Sequence, residues 1–159
     1  GGTYDFKHCT FANFWPFSRQ TPSIFLNNYY EDAYGNIQNR DLTKASFSNC
    51  IIDGNNENEI IFNKSIDENT IFNYELNHCV IKFNPKDWNT WENKTSEANI
   101  LLDIDSNTGF KNYQINDFEL DSTSVAIDAG SLSIATQVPI DLRGVNRTLN
   151  PDIGCFERE

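Results

Sequence analysis

The chain has 159 residues, 38% hydrophobic and 13% aromatic, with 23 acidic against 12 basic residues and a formal net charge of −11. That aromatic content excludes a chain too polar to bury a core, and a mean hydropathy of −0.55 excludes a helical membrane span, which needs a run of roughly 20 apolar residues. A nucleic-acid binder needs a basic surface to displace counterions from phosphate, and the scattered lysines and arginines here offer none.

The chain opens on Gly1-Gly2, which we read as a processed or excised start, with the export signal expected upstream. The first strand signal is Asp5-Phe6-Lys7-His8-Cys9-Thr10-Phe11-Ala12-Asn13. A long insertion follows, entered by Phe14-Trp15-Pro16-Phe17 and left by Tyr29-Tyr30 and Tyr34. It contains an aliphatic strand at Ser23-Ile24-Phe25-Leu26-Asn27-Asn28. The second signal is Ser46-Phe47-Ser48-Asn49-Cys50-Ile51-Ile52-Asp53-Gly54, followed by Glu59-Ile60-Ile61-Phe62-Asn63. The third is Tyr74-Glu75-Leu76-Asn77-His78-Cys79-Val80-Ile81-Lys82-Phe83. After a loop holding Trp88 and Trp91 comes Ala98-Asn99-Ile100-Leu101-Leu102-Asp103.

Each of the three strands reads apolar, two polar residues, Cys, any residue, then an apolar β-former. Asn or His stands just before each Cys. Cys9 to Cys50 is 41 residues and Cys50 to Cys79 is 29, which predicts a constant rung with loops of variable length. A rung of this size buries little alone, whereas stacked rungs share one continuous core. The expected fold is therefore all-β, a right-handed parallel β-helix of about three rungs, each a Cys-strand followed by an aliphatic strand. Residues 1–115 form the rungs with their insertions, and residues 116–159 form a terminal rung and cap of the same domain. A β-sandwich is the alternative, since it too uses many short strands.

The four cysteines include no C-x-x-C pair. His8 and His78 each precede a Cys, so on an extended strand the neighbouring side chains face opposite ways and cannot share a metal. The expectation is inward-pointing, stacked thiols with no disulfide implied.

Two kinds of candidate site stand out. Trp15, Tyr29, Tyr30, Tyr34, Trp88 and Trp91 lie on loops, where rings stack on sugar faces while nearby amides bond hydroxyls; alternatively they pack the loops. Asp103, Asp105 and Asn107 alternate as calcium ligands would, although an EF-hand would carry Gly at the position of Thr108 and Glu at that of Gln114. No catalytic triad, P-loop or paired-carboxylate signature is present.

The ending carries the most specific pattern. It reads Asn116-Asp117-Phe118-Glu119-Leu120, then Ser124-Val125-Ala126-Ile127-Asp128-Ala129-Gly130. Asp141-Leu142-Arg143-Gly144, Arg147 and Pro151-Asp152-Ile153-Gly154-Cys155-Phe156-Glu157 complete it. This resembles the closing segment of bacterial surface β-helix proteins of the choice-of-anchor and pectate-lyase-like type, which end D-F-x-L, S-P-A-I-D-A-G, D-x-x-G-x-x-R and P-D-I-G-A-Y-E. Val125 stands where that pattern has Pro, and Cys155 where it has Ala. The resemblance implies an exported, glycan-associated protein, at the cell surface, outer-membrane-associated or extracellular, with further rungs upstream.

In physical terms such an ending covers the open end of a solenoid, with Asp128, Asp141, Arg143, Arg147, Asp152 and Glu157 as a charge-paired cover. The expected function is a noncatalytic, carbohydrate-contacting region of an exported β-helix protein. The alternatives are a fragment of a calcium-assisted polysaccharide lyase or glycoside hydrolase, and a structural spacer or adhesin stalk. The expected partners are a polysaccharide and the upstream rungs, with no nucleic acid and no membrane span. No cofactor is required beyond, in the lyase reading, Ca2+.

Overall fold

A computed structural model describes residues 1–84, 86, 97–102 and 108–158. Trp88, Trp91, Asp103, Asp105 and Asn107 lie outside the described residues. The molecule is mostly sheet with few helices. Its strands are β1 (Gly2–Lys7), β2 (Thr10–Asn13), β3 (Ile24–Asn27), β4 (Tyr29–Glu31), β5 (Ile37–Asn39) and β6 (Leu42–Ser48). They continue as β7 (Ile51–Gly54), β8 (Ile60–Asn63), β9 (Phe72–Ile81), β10 (Glu97–Leu102), β11 (Phe110–Asn112) and β12 (Asp117–Leu120). A 3-10 turn, Tyr113–Ile115, and one helical turn, α1 (Leu132–Ala135), complete the described elements. Among the described residues no helix is long and apolar enough to cross a membrane.

Successive passes of the chain pair in parallel. Phe6 lies beside Phe47 and Phe47 beside Leu76, joining β1, β6 and the first half of β9. Thr10 lies beside Ile51 and Ile51 beside Val80, joining β2, β7 and the second half of β9. Because β9 runs through both arrays they form a single curled parallel sheet. A separate parallel pair sets Ile24 beside Ile60, in β3 and β8. Parallel pairing sets aside the sandwich alternative, whose sheets are antiparallel. Two hairpins among the described residues are antiparallel: β4–β5, inserted in the first loop, and β11–β12 in the C-terminal segment.

The curl has a local cause. His8, Asn49 and His78 adopt φ of 50°, 53° and 52°, the left-handed region that bends a strand. This corrects the extended geometry expected for the His-Cys and Asn-Cys pairs. Asn and His are enriched there among non-glycine residues, which explains why these types precede each Cys.

The last aliphatic strand also differs from expectation. The sequence pattern makes Ala98 to Asp103 the third counterpart of β3 and β8. Instead β10 pairs with β9, Ala98 beside Asn77 and Ile100 beside Cys79, so it opens a fourth pass in the Cys-strand array. The sequence carried this signal, since Asn99-Ile100 stands where Asn49-Cys50 stands earlier, with Ile in place of Cys.

The interior is apolar and layered. Phe47, Leu76, Ile52, Ile81, Ile60, Cys50 and Cys79 are buried, with Phe6, Cys9 and Phe11 packed against them. Phe6 stacks on Phe47 at 5.0 Å and meets Phe11 edge-on at 5.2 Å. Such ring pairs add about 0.5–1.5 kcal/mol each beyond the area they bury. All four cysteines are free thiols.

A second cluster forms on the opposite face of the same strands. Ile51 and Val80, which point away from the interior, pack with Phe110, Leu120, Ala126 and Ile153. The C-terminal segment follows this face, with Ile153 N–H bonded to the Ala126 carbonyl and Gly154 N–H to the Asn49 carbonyl, both at 2.9 Å. Gly154 is required there, since its φ is 105° and a Cβ would come within 2.6 Å of the Ile51 side chain. The segment thus spans the flank of the stack, with contacts as far back as His8 and Thr10.

Candidate functional site

Where the C-terminal segment leaves the flank, it forms a groove with the exit of β2. One wall is Asn13, Phe14 and Trp15. It is shaped by the Asn13 side-chain oxygen, which accepts the Trp15 N–H at 3.4 Å, and by Asn55, whose amide donates to the Trp15 carbonyl at 2.7 Å. The other wall is the turn between β11 and β12. Asn112 caps it by accepting the Gln114 N–H, and Asn116 closes it at a φ of 60°.

Phe14 joins the walls. Its ring stacks on Tyr113 at 4.4 Å and packs against Phe110 and Phe118. The groove encloses about 650 Å³, within the range of ligand clefts. Trp15 is 58% and Tyr113 41% exposed, so two large rings stay open to solvent beside it. Among the described residues its lining carries no ionisable group other than the Tyr113 phenol. The side chains of Gln114 and Asn116 form no hydrogen bond among the described residues.

The other described sugar candidates, Tyr29, Tyr30 and Tyr34, lie apart from this groove. Tyr29 is half-buried, and its hydroxyl accepts the Asn63 amide at 2.7 Å. Tyr30 lies under the Arg40 guanidinium, 5.2 Å from the ring centroid. Tyr34 is 90% exposed at the hairpin tip. The structure therefore brings Trp15 together with residues not singled out from the sequence: Asn13, Asn55, Tyr113, Gln114 and Asn116. Asn112 to Asn116 is a polar-aromatic stretch without strand periodicity, and only its distant partner Phe14 gives it meaning.

The charged residues of the ending form a different assembly. Arg143 pairs with Glu119 at 2.7 Å and Asp141 at 3.6 Å. Burial acts to raise the Asp141 carboxyl, but N–H groups of Glu157, Val145 and Arg143 outweigh it and hold the pKa below the ordinary value. Arg147 is 2% exposed. It donates to the Gly154 carbonyl at 3.1 Å, lies 3.4 Å from Glu157 and touches His8 Nδ1 at 2.5 Å.

The other nitrogen of the His8 ring faces the Asn49 amide at 2.9 Å. Burial, and then the Arg147 charge, push His8 down to about 4. Burial pushes Glu157 up to about 7, aided by the neighbouring Asp152 and Asp141. Asp152, itself raised by burial, accepts N–H bonds from Asp128 and Arg158. This network fastens the C-terminal segment to the first and second passes.

Among the described residues no group of three His, Cys, Asp or Glu side chains is placed to hold a metal ion. No family model matches the sequence, and no curated protein or solved structure is significantly similar to it.

Proposed function

We propose that the chain is a wall region of an exported, right-handed parallel β-helix of the bacterial surface type its ending resembles, and that it contacts carbohydrate without transforming it. The observation that carries this reading is the groove, in which exposed Trp15 and Tyr113 flank a Phe14 floor and amides stand at the rim. Aromatic faces pack on the C–H faces of sugar rings while amides exchange hydrogen bonds with hydroxyls. Among the described residues the lining has no carboxylate, histidine or lysine to serve as acid, base or nucleophile, so the groove suits binding rather than catalysis. The closed helix and its hand are supported by the parallel register of successive passes and the left-handed bend repeated in each.

Affinity electrophoresis through polysaccharide-loaded gels tests this. The protein is expected to be retarded, and Trp15→Ala to run as in an unloaded gel with an unchanged melting temperature. Free migration through every gel refutes the reading.

A further inference from the structure

Resting on that reading, we infer that the groove selects an uncharged glycan and rejects uronate-bearing or sulfated chains. An acidic sugar needs a cation or a bound metal at its carboxylate or sulfate. The groove supplies only rings and amides among the described residues.

No lysine or arginine lines the groove among the described residues. Five basic residues, Lys7, Arg19, Lys111, Arg143 and Arg147, are held by carboxylates. A net charge of −11 adds a repulsive field for any polyanion approaching the surface. A neutral glycan meets none of these barriers. Its hydroxyls both donate and accept, as do the amides of Gln114 and Asn116, whose side chains have no competing partner among the described residues. The exposed faces of Trp15 and Tyr113 give the sugar rings their platform.

The test runs the protein through gels containing dextran, galactomannan or xyloglucan and gels containing polygalacturonate or alginate, at low and high salt. Retardation by a neutral glycan, insensitive to salt and abolished by Trp15→Ala, is expected, with free migration in the acidic gels. Gln114→Lys places a cation at the rim without removing a bond seen here. It is expected to create retardation by the acidic glycans that salt reverses, with the melting temperature unchanged. Preferential binding of acidic glycans by the unaltered protein overturns this inference and leaves the carbohydrate reading standing. Neutral-glycan retardation that survives Trp15→Ala, or no gain from Gln114→Lys, overturns the assignment of this groove. Free migration in all gels overturns both readings.

Discussion

The two faces of the Cys-strands are held by different physics. The inner face stacks like on like: Cys9, Cys50 and Cys79 in one row, Phe6, Phe47 and Leu76 in the next. Its neighbours come from equivalent positions of adjacent passes, and its stabilisation is mainly hydrophobic. On the outer face Ile51 and Val80 pack with Phe110, Leu120, Ala126 and Ile153 of the C-terminal segment, and that segment is fastened by buried charge. Arg147 reaches His8 across 139 residues of chain. A buried ion network adds specificity of placement more than stability, because desolvation offsets much of its attraction.

The largest effect that sharpens this contrast is expected in the interior. Phe47 is 1% exposed, so Phe47→Ala removes a stacked ring and leaves a cavity, costing about 3–5 kcal/mol. Denaturant unfolding should show the same loss at pH 5 and pH 8. Arg147→Met is expected to cost about 3–5 kcal/mol where its buried partner stays ionised. Here the loss should shrink on acidification, because Glu157 titrates near 7 and a neutral carboxyl needs no counter-charge. Equal losses at both pH values would erase the distinction between the faces.

Asn49 belongs to both faces. It holds the left-handed bend, and its amide bonds Ser131 in both directions at 2.8 and 3.0 Å. Asn49→Ala is expected to cost about 2–4 kcal/mol, adding left-handed backbone strain to lost buried hydrogen bonds. Asn49→Gly should recover the strain but not the bonds, and thermal melts of the two variants separate the contributions.

The smallest effect is a pair of opposed pH dependences. The His8 pKa is depressed from 6.5 to about 4, so its contribution is complete above pH 6.5 and is lost as pH falls through 4. Glu157 is raised from 4.5 to about 7, so its contribution is complete below pH 4.5 and is lost as pH rises through 7. In the intact protein the two partly cancel across this window. Glu157→Gln leaves the His8 dependence, and its melting temperature should fall more steeply than that of the parent from pH 7 to 4. His8→Asn, which suits the left-handed bend, leaves that of Glu157 and should melt higher on acidification than at pH 7.

Much of the inner face was legible in the residues. The Asn/His-Cys-x-apolar pattern located three parallel strands and the inward thiols, because a repeated environment selects repeated residue types. The same pattern misled at Ala98 to Asp103, where counting strands gave the wrong array while Asn99-Ile100 carried the right one. The groove was half legible. Trp15 stood out as a ring on a loop, but Tyr113, Gln114 and Asn116 did not, because a 3-10 turn leaves no periodic trace.

The sequence by itself determined the all-β class, the parallel stacking of successive passes and the residues facing inward, since these rest on local pattern repeated along the chain. Only the tertiary structure decided that the ending lies along the flank, that Arg147, His8 and Glu157 share one buried network, and that Trp15 faces Tyr113 across a groove. Those depend on contacts between segments with no common pattern, where burial and charge pairing are properties of the folded arrangement and of neither segment alone.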